Sequence, residues 1–127
     1  MATAADKRAV DAALDVMKQG GSAVDAAIAA HSVLGLVEPQ SSGLGGGGFA
    51  LYYEKKTNQV YSFDGRETAP MRSLAEHYLD EKGKPVVSRS QTGALAVGVP
   101  GLLSLLQELS QEFGRLNWQD ALLQAAV

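Results

Sequence analysis

Apolar positions recur at helical spacing in the first third of the chain. Between Ala5 and Gln19, Val10, Leu14 and Met17 fall on one helical face, and Gly20-Gly21 supplies the stop. Ser22 then opens a second helix, with Asp25 at its third position as an acidic capping-box partner, running through an alanine-rich stretch to about Leu36. Glu38-Pro39 closes it, because the residue before a proline disfavours the α region. The period then shifts to two. Phe49 to Glu54 and Gln59 to Asp64 read as strands joined by the polar loop Lys55-Lys56-Thr57-Asn58. Phe49, Leu51 and Tyr53 share one face of the first strand and Ala50 and Tyr52 the other, so that strand is expected to be covered on both sides in a layered α/β arrangement. Met71 to Leu79 predicts a short helix and Asp80 to Pro85 a polar turn. Leu95, Val97 and Val99 alternate as an extended stretch. Pro100 then starts a leucine-rich helix that Gly114 ends.

At 127 residues, with 46% hydrophobic and 20% charged residues, the chain is globular and large enough for one core. No internal repeat or linker divides it. The net charge of −3, with no basic cluster larger than a pair such as Lys55-Lys56, argues against nucleic acid or an anionic membrane as a partner. With no cysteine, thiolate metal sites, disulfide scaffolds and a cysteine nucleophile are excluded. The first residues carry charge by Asp6 and lack an apolar core, so they do not read as a secretory signal. Leu116 to Val127 reads as a helix with Leu122, Ala125 and Ala126 on one side and no capping residue, the pattern of a piece of something longer.

The candidate chemistry lies between Glu38 and Pro70. Five glycines in the six residues Gly43 to Gly48 lead into the first strand, and Asp64-Gly65-Arg66-Glu67 follows one hairpin later. The run matches G-x-G-x-x-G, but that phosphate cradle needs a strand before it and a helix after it, and here the order is reversed. Two readings remain, glycines that let a strand start against a close neighbour and a backbone-lined rim of an active site. Arg66 is the candidate ligand-binding residue, able to grip a carboxylate bidentately; the alternative is a turn arginine paired with Asp64 or Glu67.

The other reactive side chains point to packing. His31 and His77 lie in helices without carboxylates at ligand spacing, so no metal or cofactor is expected. Ser41-Ser42 lacks the G-x-S-x-G context and reads as helix-exit polarity. Asp11, Asp15 and Asp25 read as solvated or capping groups, so no catalytic residue is assigned within the chain.

Gly20 to Ala30, Gly35 to Pro39, Ser41 to Phe49, Asp64-Gly65-Arg66-Glu67-Thr68-Ala69-Pro70 and Ala96 to Gly101 together closely resemble the γ-glutamyltransferase (γ-glutamyl transpeptidase) family. The resemblance implies part of a four-layer αββα N-terminal-nucleophile hydrolase, made as a longer precursor that cleaves itself into a large and a small subunit. Residues 1–127 would be the front part of the large subunit, without an internal domain boundary. It further implies a threonine nucleophile on the small subunit that takes the γ-glutamyl group from glutathione or a similar donor and passes it to an amino acid, a peptide or water. Arg66 matches the family arginine that holds the donor α-carboxylate. The family's threonine pair followed by histidine is absent, since Thr3, Thr57, Thr68 and Thr92 stand in other contexts. The segment alone is therefore expected to be inactive, to need the remainder of both subunits as partners, and to self-associate through uncovered apolar faces. Family members are commonly periplasmic or secreted. Two rivals to this reading are a related cephalosporin or amide acylase and a non-enzymatic binding module.

Overall fold

The computed structural model describes residues 1–123. Helix α1 spans Lys7–Lys18 and is capped by Asp6, whose side chain accepts the Arg8 amide. Its last turn closes through the Gln19 amide to the Asp15 carbonyl, and Gly20 takes the left-handed backbone (φ +93°) that a side chain resists. Helix α2, Ala23–Val37, starts with the expected reciprocal capping box. The Asp25 amide donates to Ser22 Oγ at 3.2 Å, and the Ser22 amide donates to Asp25 Oδ2 at 2.7 Å.

Strands β1, Gly48–Glu54, and β2, Gln59–Gly65, form an antiparallel hairpin in the register Gly48↔Gly65 to Glu54↔Gln59. Asn58, with a positive φ of 57°, turns the loop and accepts the Tyr53 hydroxyl at 2.9 Å. The chain continues through a 3₁₀ turn at Ala75–Tyr78, the five-residue helix α3 (Val87–Gln91), a second 3₁₀ turn at Ala94–Ala96, helix α4 (Leu102–Phe113) and helix α5 (Trp118–Leu123). Ala125 and Ala126, expected on the last helix, lie outside the described residues.

Helix α2 is the centre of the packing because it is apolar nearly all round. On one side Ala26 and Ala29 meet Ala13 and Val16 of α1. On the other, Val24 and Ile28 join Leu102, Leu105, Leu106 and Leu109 of α4 and Ala121 of α5. The inner face of the hairpin, Ala50, Tyr52 and Phe63, closes this second core. Phe113 stacks on Tyr52 with ring centroids 4.2 Å apart and also meets Tyr61 and Phe63.

Four expectations need correction. Residues 1–123 cover only one face of β1; Phe49, Leu51 and Tyr53 on the other are 66%, 78% and 54% exposed, so the second layer is not supplied by these residues. The helix expected over Met71 to Leu79 shrinks to the single 3₁₀ turn, since nothing in that stretch is buried and an isolated turn has little to hold it. The alternation at Leu95, Val97 and Val99 does not mark a strand either. All three are exposed, and only Val99 pairs, in an isolated bridge with Thr68. Pro100 also sits just outside α4, whose N-cap is Gly101.

The bridge organises the whole stretch between its ends. The Thr68 amide donates to the Val99 carbonyl at 3.2 Å and the Val99 amide returns to the Thr68 carbonyl at 2.8 Å. Residues 69–98 form an excursion held by polar contacts of its own. Arg89 donates to the carbonyls of His77 and Leu79, and the Tyr78 hydroxyl donates to the Leu95 carbonyl.

Candidate functional site

The glycine run leaves α2 through a turn in which the amides of Ser41 and Ser42 both donate to the Glu38 carbonyl. Neither serine hydroxyl meets a histidine; Ser41 Oγ donates to Glu38 Oε2 at 3.4 Å. No glycine of the run has a positive φ, so what the run requires is room. A Cβ on Gly47 would lie 2.7 Å from the Gly65 carbonyl oxygen, and one on Gly48 would lie 3.2 Å from Leu102 Cδ1. The Gly46 carbonyl accepts the amides of Gly101 and Leu102, both at 3.2 Å, which ties the run to the start of α4. Gly43 and Gly45 face open space. The run therefore packs at its strand end, as the first of its two readings expects, and is open at its helix end.

Arg66 follows β2 directly. Its amide donates to Asp64 Oδ1 at 2.9 Å, which commits Asp64 to the backbone. Gly65 beneath it is buried, with a Cβ there 2.5 Å from Leu105 Cβ. Among the described residues the ion pairs are Lys7 with Asp11, Arg8 with Asp6 and Lys18 with Asp15, all within or at the cap of α1. The guanidinium of Arg66 is in none of them. It stands exposed on a turn whose backbone is fixed from below, and its charge is unmatched by either neighbouring carboxylate. Neither Asp64 nor Glu67, the partners the sequence offered, forms an ion pair with it.

The remaining candidates separate from this corner. His31 is half-buried in α2, where burial lowers its pKa and leaves Nε2 without a partner. Nδ1 of His77 accepts the Leu74 amide at 3.4 Å. No group of histidines and carboxylates able to hold a metal occurs among the described residues. A cleft of about 370 Å³ lined by Lys55, Lys56, Glu112 and Arg115 lies at the loop end of the hairpin, the end opposite Arg66 in the strand register. A second, of about 350 Å³, lies between Glu67 to Pro70 and the Leu95 to Gly98 side of the excursion.

Asp25 is more than the capping group its sequence position suggested. It is fully buried, and its Oδ2 also accepts the amides of Arg115 at 2.9 Å and Leu116 at 3.3 Å, far along the chain. No local pattern marks such a contact, because its donors are backbone groups.

The profile of the gamma-glutamyltranspeptidase family matches residues 9–127. The chain belongs to that family. It is 42% identical over 115 residues to a glutathione hydrolase proenzyme of Bacillus subtilis (strain 168), covering 90% of this chain and 20% of that protein. It is 39% identical over 114 residues to glutathione hydrolase 3 of Arabidopsis thaliana, covering 90% of this chain and 17% of that protein. Among solved structures, gamma-glutamyltranspeptidase from Pseudomonas nitroreducens, complexed with L-DON, superposes with a TM-score of 0.91 at 39% identity. That match covers 98% of this chain and 36% of the other. A cephalosporin acylase from Bacillus halodurans superposes with a TM-score of 0.75 at 32% identity, over 92% of this chain and 21% of the other. The chain thus spans about one-fifth of the length of the curated relatives it matches. The mixed helix-and-strand fold is that of the gamma-glutamyltranspeptidase structures, and the expected family and fold class both hold.

Proposed function

We propose that this chain is the front part of the large subunit of a gamma-glutamyltransferase, or glutathione hydrolase, and that Arg66 holds the α-carboxylate of the γ-glutamyl donor. The observation that carries the assignment is the unpaired guanidinium on a turn fixed by Asp64 and Gly65. A carboxylate arriving there gains two parallel charged hydrogen bonds without first breaking an ion pair. Glutathione carries such a carboxylate at its γ-glutamyl end.

The nucleophile belongs to other sequence. Thr57 Oγ1 donates to Glu54, Thr92 Oγ1 donates to the Ser88 carbonyl, and Thr68 is held in the bridge to Val99. A threonine on the small subunit would attack the γ-glutamyl carbonyl and form an acyl-enzyme that water, an amino acid or a peptide resolves. The partners of this segment are therefore the rest of the large subunit and the small subunit, and by itself it turns over no donor. No described helix is long and apolar enough to cross a membrane.

The test is Arg66→Ala in the full-length protein that carries this segment. Loss of a bidentate charged contact should lower kcat/KM for a γ-glutamyl anilide by about 2–4 kcal/mol, roughly 30- to 1,000-fold. Lys55→Ala, on the hairpin loop, should leave it within about twofold. Unchanged donor kinetics in Arg66→Ala would remove the assignment. The likeness to a cephalosporin acylase gives a second reading of the same corner, in which the acid bound is that of a glutaryl-type side chain. Comparing γ-glutamyl anilide with glutaryl amide turnover separates the two.

A further inference from the structure

Three glycines meet at the carbonyl that precedes Arg66. The Gly65 carbonyl oxygen lies 2.7 Å from where a Cβ on Gly47 would stand, and a Cβ on Gly101 would fall closer still. That same Cβ on Gly101 would lie 2.8 Å from the Arg66 carbonyl oxygen. The two peptide carbonyls on either side of Arg66 therefore rest against the bare Cα of Gly101, the N-cap of α4. Gly101 has a negative φ of −114°, so glycine is needed there for the close approach and not for the backbone angle. The helix side of this contact is the rigid one. Leu102, Leu105, Leu106 and Leu109 of α4 are buried in the core, and the amides of Gly101 and Leu102 are tied to the Gly46 carbonyl. Arg66 is exposed, so the turn is the partner that yields.

We infer that Gly101 is a positioning residue for Arg66: its missing side chain lets the start of α4 seat both carbonyls that flank the arginine, and the helix thereby sets where the guanidinium stands. The Arg66 amide is held separately, by Asp64 Oδ1 at 2.9 Å. A methyl group at position 101 would have to move the two carbonyls by roughly 1 Å to reach ordinary contact. A displacement of that size is costly at a group that must meet a carboxylate through two parallel hydrogen bonds. The inference rests on the reading of Arg66 as the donor-carboxylate residue. It places a determinant of donor recognition on the far side of the 69–98 excursion, at a residue that has no side chain to offer the donor.

The experiment uses the full-length protein and two donors, a γ-glutamyl anilide and the γ-aminobutyryl anilide that lacks only the α-carboxylate. The ratio of their kcat/KM values reports carboxylate recognition, and a loss of folded protein lowers both alike and cancels. Gly101→Ala should lower that ratio about tenfold. Gly114→Ala, whose Cβ would press on the Ser110 carbonyl at the other end of α4, should leave it within about twofold while destabilising the same helix. An unchanged ratio in Gly101→Ala, or an equal fall in Gly114→Ala, would overturn the inference. Should Gly101→Ala not yield folded protein, Leu105→Ala takes its place. It removes Leu105 Cδ1, which lies 3.1 Å from where a Cβ on Gly65 would stand, and so loosens the same seat without adding an atom. The ratio should then fall about threefold, and an unchanged ratio there overturns the inference as well. Arg66→Ala separates the two readings. A large fall in Arg66→Ala with none in Gly101→Ala removes only the positioning role, whereas an unchanged ratio in Arg66→Ala removes the donor-site reading and this inference with it.

Discussion

Replacing Asp25 with alanine tests whether one buried carboxylate joins the two ends of this chain. In the native fold Asp25 Oδ2 accepts amides from Ser22 at 2.7 Å, Arg115 at 2.9 Å and Leu116 at 3.3 Å, and the residue has no exposed surface. The first two are good charged hydrogen bonds, each worth about 1.5–3 kcal/mol, and the third is long. Against them stands the cost of burying a charge whose Oδ1 has no partner. Alanine removes the charge and leaves three backbone donors without their acceptor. The net expected loss is about 3 kcal/mol, a large fraction of the roughly 6–19 kcal/mol expected for a domain of this size. Asparagine can keep one acceptor oxygen toward the amides and should lose about half as much. Equilibrium urea unfolding of residues 1–127 followed by Trp118 fluorescence reads this directly, since that tryptophan is the only one among these residues and packs on the core that α5 shares with α2. Asp11→Ala, which removes an exposed pair with Lys7, is the control and should change stability by less than about 0.5 kcal/mol. A loss below about 1 kcal/mol in Asp25→Ala would refute the argument, because it would mean that the amides of Arg115 and Leu116 find other partners at little cost.

Two further outcomes follow from the packing and the titrating groups. Phe113→Ala removes the ring that Tyr52, Tyr61 and Phe63 surround and should cost about 2–4 kcal/mol in the same urea experiment, with near-ultraviolet circular dichroism of the tyrosines falling in parallel. Burial lowers the pKa of His31 below its ordinary value, so the folded state binds fewer protons than the unfolded one around that range. Stability should therefore be complete above the unfolded-state value near 6.5 and decline as pH falls below it. The drop in urea midpoint between pH 7.5 and 5.5 should shrink in His31→Gln, and an unaltered drop would assign the acid sensitivity to other groups.

The elements whose causes are local were legible in the sequence. The stop at Gly20, the Ser22 and Asp25 capping box and the period-two pattern of the hairpin each act within a few residues, and each appears where expected. The leucines of α4 were legible because four of them share one buried face. Residues 69–98 were not, since they bury almost nothing and their conformation depends on contacts such as Arg89 with two distant carbonyls. At the candidate site, Arg66 was visible as a residue but its freedom was not. That depended on where Asp64 and Glu67 turn, and the sequence allowed either to pair with it. The role of Asp25 was hidden because it is answered by backbone amides, which leave no pattern in residue types.

The pair of hydrogen bonds between Thr68 and Val99 fixes more than the shape of the excursion. Because the chain leaves and re-enters the body at one point, a change of length inside residues 69–98 alters mainly the closure entropy, and doubling it costs only about 0.6 kcal/mol. Arg66 and α4 lie just outside that point on either side. A change of length confined to the middle of the excursion would thus leave the turn and the helix in their places, so the two sides of the corner are insulated from what lies between them.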